Sequence, residues 1–379
     1  MNKLEVQKFI EQHSDWEKLL QEKPYCLKIS HEEIFGRKMV MVKYDQIDSS
    51  FYEPIVCECR GLVLDETTNE VISYPFNKFF NFGEPNAAAI DWKTAKVGTK
   101  IDGSLIKIVR LGHDVLISTN GTLDAFKAPI AEQIGCKFKS FGDLVKQIIV
   151  SKYGAMQLFI ERLQENFTYM FELVSPYTRV VIPYKETDMW YLGRRDNLSF
   201  QEEHFSAKPF GDKFKVPEVF PLSNVDQCLE ATKAMPWDEE GYVVCDANFN
   251  RVKIKSPSYL AVHNLKGEGG VMSYRRAIEI VRANEIDEIC SYFEEFRPAL
   301  EECKAKFWKL VEDTEQAWSE YLKIDLTLPT RKDKALWITK NFKMSGVAFG
   351  LLDKKITSIK DFFMTVPTDK LLKYLGYKE

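Results

Sequence analysis

A lysine in a turn-forming segment is the first residue of this chain that could act as a nucleophile. Lys100 begins a pentapeptide that contains Asp102 and Gly103 and is followed by the apolar run Leu105–Val109. A free lysine amine has a pKa of about 10, so it attacks at neutral pH only where burial or nearby cations lower that pKa. Gly103 allows a tight turn and the close approach of a ligand. The segment predicts a nucleophilic lysine, and a hairpin turn with a solvated lysine is the alternative.

Two further lysines lie at the end of a predicted hairpin, whose strands are Tyr242–Cys245 and Arg251–Ile254. Because side chains alternate along a strand, Lys253 and Lys255 share one face. Two cations on one face can neutralise a phosphate and can lower the pKa of a nearby lysine. An exposed strand with two solvated lysines is the alternative.

Charged residues also occur inside otherwise apolar segments. Glu172 lies in the run Met170–Val174, and Glu240 precedes Gly241 at the start of the hairpin. An unpaired carboxylate is costly in apolar surroundings, so each glutamate is either an ion-pair partner or a ligand-binding group. Arg60 offers a planar guanidinium that can hold a phosphate or a ribose edge, and a surface ion pair is its alternative role.

The order of these residues resembles that of the covalent nucleotidyltransferases, which comprise RNA ligases, DNA ligases and capping enzymes. The chain is most similar to the T-even phage RNA ligase family (RNA ligase 1), from about Tyr44 to Tyr259 and more weakly beyond. The residues that carry the resemblance are, in chain order, Arg60, Lys78 with Phe79-Phe80-Asn81, Lys100, Asp102, Gly103, Glu172 with Ser175-Pro176, Glu240, Gly241, Lys253, Lys255 and Ser256.

The resemblance implies an ATP-dependent RNA ligase that uses Mg²⁺ or Mn²⁺ and works in three steps. Lys100 would attack the α-phosphate of ATP, which forms lysyl-AMP and releases pyrophosphate. The AMP would then pass to the 5′-phosphate of an RNA, and a 3′-hydroxyl would displace it to close the phosphodiester bond. Positioning and charge neutralisation supply most of the catalysis in such transfers. The resemblance implies broken tRNA as the substrate, with an end-healing kinase or phosphatase acting upstream.

The resemblance also implies a role for each residue. Those expected to bind ATP are Tyr44 near the adenosine, Arg60, Lys78, Glu172 at the ribose, and Lys253 and Lys255 at the α-phosphate. Glu240 would hold hydrated Mg²⁺, and Asp287 would contact a metal. The residues that complete the motifs are Asp102, Gly103, Gly241 and Tyr259. In one departure, the family often has lysine-glycine-serine on the strand after the nucleophile, whereas this chain has Asn120-Gly121-Thr122 and so lacks that cation.

The predicted fold is α+β, with two domains. Residues 1–262 are expected to form an adenylyltransferase domain of antiparallel sheets with flanking helices. Residues 263–379 are expected to form a small all-α domain that contributes RNA or tRNA specificity, because no alternating strand series follows Tyr259. The glycine-rich segment 266–270 predicts a linker. DNA ligases and capping enzymes usually carry a β-barrel OB domain at that point, so its absence favours an RNA ligase.

Local patterns predict the elements within these domains. An amphipathic helix is expected over residues 3–22, a second helix over Asp143–Tyr153, and short helices over residues 331–341 and 367–375. Besides the hairpin, the expected strands are Lys38–Tyr44, Leu62–Leu64, Leu105–Val109, Val115–Thr119, Met170–Val174 and Met189–Leu192.

Composition narrows the class of protein further. No apolar run in the 379 residues approaches the ~20 needed to span a bilayer, and the start of the chain does not resemble a signal peptide. The eight cysteines show no zinc or disulfide spacing beyond the pair Cys57 and Cys59. We therefore expect a reduced, monomeric cytoplasmic protein without a membrane partner, in the host cytoplasm if it is phage-encoded.

Charge is unevenly distributed along the chain. Residues 331–379 carry a net charge of +6 within a total of −4, which leaves −10 on the rest. This asymmetry suits a C-terminal segment that contacts RNA phosphates, and a solvated helical face is the alternative.

Two other functions remain open from the sequence. A DNA ligase or a GTP-using capping-type enzyme would share the same nucleotide-binding residues, although both usually carry an OB domain. An inactive nucleotide- or RNA-binding module belongs to another class of function. The presence of Lys100, both glutamates and both hairpin lysines argues against such a module.

Overall fold

The computed structural model describes residues 2–46, 48–130, 136–266, 272–284, 286–292 and 294–377. It divides into two compact units, Met1–Asn264 and Leu265–Glu379. Within the described ranges no helix is long and apolar enough to cross a membrane. The predicted linker at residues 266–270 lies outside the described residues, apart from Lys266.

The strands of the described residues all belong to the first unit. In chain order they are β1 (Lys28–Ile34), β2 (Arg37–Lys43), β3 (Arg60–Asp65), β4 (Val71–Ser73), β5 (Phe80–Asn81), β6 (Lys96–Thr99), β7 (Ser104–Leu111), β8 (Asp114–Thr119), β9 (Phe167–Val174), β10 (Asp188–Asp196), β11 (Glu202–His204), β12 (Val219–Phe220), β13 (Gly241–Cys245) and β14 (Arg251–Lys255).

The α-helices flank these strands and continue after them. In chain order they are α1 (Glu5–Gln12), α2 (Trp16–Gln21), α3 (Pro54–Glu58), α4 (Phe141–Tyr153), α5 (Met156–Ile160), α6 (Val225–Lys233), α7 (Pro257–Lys266), α8 (Tyr274–Ala283), α9 (Ile286–Tyr292), α10 (Arg297–Ile324), α11 (Arg331–Asn341), α12 (Ser345–Leu352), α13 (Ile359–Thr365) and α14 (Thr368–Tyr374).

Three sheets organise the first unit. Their strand orders are β1-β2-β3-β4, β11-β10-β9-β7-β8 and β12-β6-β13-β14-β5. Every pairing is antiparallel except that of β14 with β5. The predicted fold of mixed helices and antiparallel sheets is therefore confirmed. Helix α4 begins at the capping residue Ser140 and packs its apolar face on β7 and β9, which fixes the sheet that carries Glu172.

Several elements differ from their predictions. The single helix expected over residues 3–22 is two helices, because a turn at His13–Asp15 interrupts it. Strand β1 was not expected, since its sequence of lysine, serine, histidine and glutamates lacks the apolar alternation of a half-buried strand. It is nevertheless held by antiparallel pairing with β2 along its whole length. Strand pairing has here overridden local composition.

The second unit contains only helices among its described elements. The longest, α10, buries Leu300, Phe307 and Val311 along one face, at the spacing expected of an amphipathic helix. Helices α11 and α14 coincide with the short helices predicted at residues 331–341 and 367–375.

A buried ionic network joins two sheets of the first unit. Glu202 on β11 accepts hydrogen bonds from Arg195 on β10 and, at 2.5 Å, from Arg251 on β14. Although burial disfavours the charged form, the two guanidiniums lower the pKa of Glu202 below its ordinary value. Arg195 also donates to the backbone oxygen of Pro75 at 2.6 Å. The network joins the strands around the site, and because it is buried, water cannot solvate a charge that loses its partner.

We predict that Glu202→Gln lowers the free energy of unfolding by about 3–5 kcal/mol, because two buried guanidiniums lose their counter-charge. Glu203→Gln is the matched control, since Glu203 is 40% exposed and pairs with Arg194 at the surface. That change is expected to cost about 1 kcal/mol or less. Urea unfolding measures both, and equal losses would show that the network is not structural.

Candidate functional site

A glutamate placed between two lysines forms the centre of the site. The Nζ atom of Lys100 donates to Oε2 of Glu240 at 2.7 Å, and Nζ of Lys255 lies 3.2 Å from Oε1 of the same carboxylate. The side chain of Glu240 is 3% exposed, whereas that of Lys100 is 20% exposed. The carboxylate therefore fixes both amines while leaving the Lys100 amine within reach of a ligand.

Backbone pairing explains why these residues meet. Gly241 opposes Lys255 in the β13–β14 hairpin, and the backbone N–H of Lys100 donates to the Gly241 oxygen at 2.8 Å. Gly241 has φ +125, and a Cβ there would lie 2.2 Å from the backbone oxygen of Ile254. Only glycine fits this position, which accounts for the Glu240-Gly241 pair seen in the sequence.

Asp102 serves to hold the turn that follows Lys100. Its Oδ2 atom accepts backbone N–H groups from Val181 at 2.8 Å and Ile182 at 2.7 Å, and its Oδ1 atom accepts the Tyr259 hydroxyl at 2.9 Å. Asp102 is buried, so these bonds compensate for its lost hydration. The two motif residues Asp102 and Tyr259 thus belong to one structural contact.

Gly103 is required for a reason that the sequence did not indicate. A Cβ at Gly103 would lie 2.4 Å from the backbone oxygen of Leu173 and 3.0 Å from Cγ of Glu172. Strand β9 makes this close approach, and the expected approach of a ligand stays a prediction. This contact sets the distance between the turn of Lys100 and the strand that carries Glu172.

Glu172 supplies a second carboxylate to the site. Burial raises its pKa to about 7, since the charges of Lys100 and Arg60 oppose burial but do not cancel it, and Glu240 adds to the increase. Glu172 opposes Leu105 across β9 and β7, so an apolar sheet surrounds it. It is half protonated near neutral pH and can gain or lose a proton there.

The pKa expected for Lys100 is corrected by this geometry. The sequence predicted that Lys253 and Lys255 would help to lower the pKa of Lys100. Burial does lower it, but the carboxylates of Glu240 and Glu172 outweigh burial, so the net pKa lies above its ordinary value. Lys100 is therefore a protonated amine in this structure.

A group of cations lies beside the two carboxylates. The Nζ atom of Lys253 is 4.8 Å from the centre of the Phe79 ring, and the Arg60 guanidinium is 5.3 Å from the same ring. Burial, followed by the charges of Arg60, Lys100 and Lys78, lowers the pKa of Lys253 to about 7. The cations therefore repel one another, and the negative charge of a bound phosphate would reduce this repulsion.

Lys78 and Tyr44 form an aromatic contact at the edge of this group. The Lys78 Nζ atom lies 4.7 Å from the Phe51 ring, 5.1 Å from the Tyr44 ring and 5.7 Å from the Phe80 ring. Burial and the charge of Arg60 lower the pKa of Lys78. Tyr44 accepts a hydrogen bond from Arg60, although burial still raises its pKa.

A cavity of about 140 Å³ brings Glu172 together with several cations. It is lined by Lys100, Glu172, Arg60 and Lys253 together with further side chains. Those additional side chains are Phe76, Phe79, Leu105, Leu192, His204, Phe205, Val243, Cys245 and Arg251. Burial, then the charges of Lys96 and Arg251, lowers the pKa of His204 to about 4, so the His204 side chain is neutral at pH 7. Phe79 belongs to a motif that carries the resemblance, whereas His204 and Phe205 had no signal in the sequence.

Asp287 belongs to the second unit and has a different environment. Its carboxylate is 94% exposed and accepts a hydrogen bond from Arg297 at 2.9 Å, which lowers its pKa. In the described part of the chain no group of three or more histidine, cysteine, aspartate or glutamate residues is arranged to hold a metal ion. The metal role predicted for Asp287 stays a prediction.

A buried glutamate between two lysines, with further cations lining the same cavity, defines a site for a negatively charged substrate. The model of the RNA ligase family, T4 type 1, matches residues 58–259, which include every proposed nucleotide-contacting residue except Tyr44 and Asp287. The chain belongs to this RNA ligase family.

Two curated relatives and one solved structure illustrate the similarity. Over 67% of its length the chain is 32% identical to a protein of Autographa californica nuclear polyhedrosis virus described as "Putative bifunctional polynucleotide kinase/RNA ligase". Over 55% it is 25% identical to the RNA ligase of Rhodothermus phage RM378. The chain spans 37% and 60% of these two relatives' lengths. A structure described as an archaeal ATP-dependent RNA ligase is 11% identical, with a TM-score of 0.45 over 89% of this chain and 82% of that chain.

We predict that Lys253→Met stabilises the protein, and more at about pH 7.5 than at about pH 9.5. The folded pKa of Lys253 is about 7, against 10.5 for an ordinary lysine. As the pH falls from about 10.5 to about 7, the unfolded chain takes up this proton and the folded protein does not, so Lys253 progressively favours unfolding. Melting temperatures at the two pH values measure the effect. Lys146→Met on the exposed face of α4 is the control, and a gain independent of pH would contradict the assignment.

Proposed function

We propose that the chain is an ATP-dependent RNA ligase that joins 5′-phosphate and 3′-hydroxyl ends through lysyl-AMP and an RNA-adenylate. The observation that carries the proposal is the partly exposed amine of Lys100, held by Glu240 at the mouth of a cavity lined by cations. The ion pair with Glu240 positions the Lys100 amine for attack on a phosphorus atom. The match to the RNA ligase family indicates which reaction follows.

In the first step the Lys100 nitrogen forms a bond to the α-phosphorus of ATP, and the bond to the pyrophosphate oxygen breaks. The amine must first lose a proton, and the nearest carboxylate is that of Glu240 at 2.7 Å. Glu172, with a pKa of about 7, is the second group near Lys100 that can take up a proton at neutral pH. Lys253 and Lys255 neutralise the charge that develops on the phosphate oxygens.

The arrangement also fits a hydrated divalent cation, Mg²⁺ or Mn²⁺. Magnesium keeps several of its waters and binds through one or two carboxylates together with substrate phosphates. Of the three carboxylates that act on Lys100, Asp102 is already bonded to two backbone N–H groups and to Tyr259, so Glu240 and Glu172 would hold the cation in this way. A cation there would add positive charge beside the amine and the phosphate, which favours the unprotonated amine and neutralises the oxygens.

The remaining steps require an RNA 5′-phosphate and a 3′-hydroxyl beside the same lysine. In the second step the RNA phosphate oxygen bonds to the α-phosphorus and displaces Lys100. In the third step the 3′-oxygen bonds to the 5′-phosphorus and displaces AMP. A groove of about 630 Å³, which includes Lys78, Phe79, Arg195 and Arg251 in its wall, is the proposed path for the strand. Lys78 can contact the backbone and the aromatic rings can stack on bases, whereas Arg195 and Arg251 are paired with Glu202.

We propose that the first unit carries the chemistry and the second unit contributes RNA choice. The net charge of +6 on residues 331–379 suits contact with RNA phosphates. We infer that the second unit is a helical domain without an OB domain, that the protein acts as a monomer, and that broken tRNA is the substrate after an end-healing enzyme has acted. The eight cysteines are free, which suits a cytoplasmic protein.

Two other functions are less well supported by the site. A DNA ligase or a GTP-using capping-type enzyme would need the same lysine and carboxylates, but the chain matches the RNA ligase family model. An inactive nucleotide- or RNA-binding module would not need Lys100 to be held at 2.7 Å from a buried carboxylate beside a cationic cavity.

We predict that Lys100→Ala abolishes covalent labelling from ATP while retaining the sealing of an RNA that already carries a 5′-adenylate. Only the first two steps use the amine, so the third can proceed without it. Radiolabelled ATP and GTP, each with Mg²⁺, are compared by the label that remains on denatured protein. Lys96→Ala, on the strand before Lys100, is the control and should label normally. Labelled Lys100→Ala protein, or labelling from GTP alone, would refute the assignment.

A chain that ends at Asn264 is predicted to form lysyl-AMP but to lose its preference for a nicked stem-loop over a short single strand. The reason is that every proposed nucleotide contact except Asp287 lies in the first unit. Circular dichroism establishes that the shortened chain is folded before the two ligation rates are compared. An unchanged preference would show that the second unit does not determine which RNA is preferred. If a folded shortened chain no longer forms lysyl-AMP, the second unit contributes to the chemistry.

A further inference from the structure

Lys107 is a fully buried cation that the reaction described above does not use. It lies in the middle of β7, opposite Met170 on β9 and Ser118 on β8, and it is 0% exposed. Its Nζ atom donates to the backbone oxygen of Gly61 on β3. Burial lowers the pKa of Lys107 to about 7, and the charges of Arg60 and Lys43 lower it further. No carboxylate contributes to that shift.

Stability gives no reason to keep this lysine. Leu105 and Val109, which point to the same face of β7, are apolar and buried. A buried charge without a counter-ion destabilises a fold, and an apolar side chain of similar volume usually replaces it without loss. A strongly perturbed, unpaired cation in a sheet interior is more often a functional group.

Three cations, Lys43, Arg60 and Lys107, lie close to Gly61. A Cβ at Gly61 would lie 2.9 Å from Nζ of Lys107 and 2.8 Å from the backbone oxygen of Asn120, so both residues pack against the same point. Lys43 reaches this region too, because its Nζ atom donates to the Gly121 oxygen at 3.4 Å. Across the described residues, no carboxylate forms an ion pair with Lys43, Arg60 or Lys107.

Unpartnered polar atoms and a cavity mark the same place. Nε and Nη1 of Arg60 and Oδ1 of Asn120 are buried without a hydrogen-bond partner. A cavity of about 170 Å³ is lined by Lys43, Tyr44, Arg60, Asn120 and Gly121. Arg60 also lines the cavity that contains Lys100, so a group bound here would lie next to the proposed reaction. Buried donors without partners beside an open cavity are the donors that an anion can satisfy.

We propose that Arg60, Lys43 and Lys107 form a second phosphate-binding site, separate from the α-phosphate contacts of Lys253 and Lys255. The site takes one phosphate group, which is either a terminal phosphate of ATP or the 5′-phosphate of the RNA, and this choice rests on the proposed function. Lys43 and Arg60 contact the group directly. Lys107 is a positioning residue. It holds the backbone at Gly61, and its positive charge lies behind the cavity wall, where it attracts the phosphate without touching it. It also supplies from β7 a positive charge that Asn120, in the turn after β8, does not supply.

The test compares wild type with Lys107→Met and Lys43→Gln in the full-length protein. Binding of inorganic pyrophosphate is measured first by calorimetry, since it requires no ligase activity. Lysyl-AMP formation is then followed against ATP concentration, and transfer of AMP from preformed lysyl-AMP to a 5′-phosphorylated RNA is followed in a single turnover. We expect one of the two reactions to show an apparent affinity weakened about tenfold to hundredfold, with a smaller change in maximal rate.

A relocated charge separates an electrostatic role from a packing role. Lys107→Met combined with Asn120→Lys should recover most of the lost affinity, because the new ammonium enters the same cavity from the turn after β8. Lys107→Met combined with Asn120→Met is the matched control of similar length and should not recover it. Lys107→Met itself should melt no lower than wild type.

Each outcome decides the proposal. Weakened pyrophosphate binding with weakened ATP use assigns the site to the triphosphate, and weakened RNA transfer with normal ATP use assigns it to the RNA phosphate. Normal affinities in folded Lys107→Met, or in Lys43→Gln if Lys107→Met does not fold, overturn the site. Equal recovery by Asn120→Lys and Asn120→Met also overturns it. A wild-type protein that forms no lysyl-AMP overturns the proposed function instead, and pyrophosphate binding still tests the site.

Discussion

The interaction on which the site depends is a buried carboxylate shared by two lysines. Glu240 is almost fully buried, so it would be costly to leave its charge unpaired. It is paired by Lys100 on one oxygen and by Lys255 on the other, and the backbone of Gly241 contacts both of those residues. The hairpin β13–β14 and the turn after β6 must therefore fold together before the proposed nucleophile, Lys100, has a defined position. The same ion pair keeps the Lys100 amine protonated until another positive charge competes for Glu240.

The sequence predicted this centre well because the residues involved have strong local signals. Alternation within β14 predicted that Lys253 and Lys255 share a face, and the apolar run around Glu172 predicted a carboxylate that is either an ion-pair partner or a ligand-binding group. The contacts between residues far apart in the chain could not be predicted from the sequence. Gly103 is needed because strand β9 approaches it closely. Lys107 could not be singled out from the sequence, because its partner Gly61 lies on β3, a strand of another sheet. The cavity walls near His204 could not be predicted for the same reason.

The distribution of charge follows function more than stability. The fold uses the Glu202 network, in which each buried charge has a partner, to join its strands. Around the cavities, Lys253, Lys107 and Arg60 form no ion pair with a carboxylate among the described residues, and burial and the charges of neighbouring cations lower the pKa of both lysines to about 7. Such an arrangement costs stability when it is empty, and a polyanionic substrate would compensate for it on binding. The proposed RNA ligase activity would need this property, since its substrates would bring several phosphates to one lysine.

Peptide mapping by mass spectrometry after incubation with ATP and Mg²⁺ tests the central claim most directly. The account predicts an AMP adduct, labile to acid as a phosphoramidate is, on the peptide that contains Lys100. Lys107, Lys253 and Lys255 should carry none, because they are proposed to contact phosphate without forming a bond to it. An adduct on any of these three residues, or on no lysine of a protein that still seals RNA with ATP, would contradict the account.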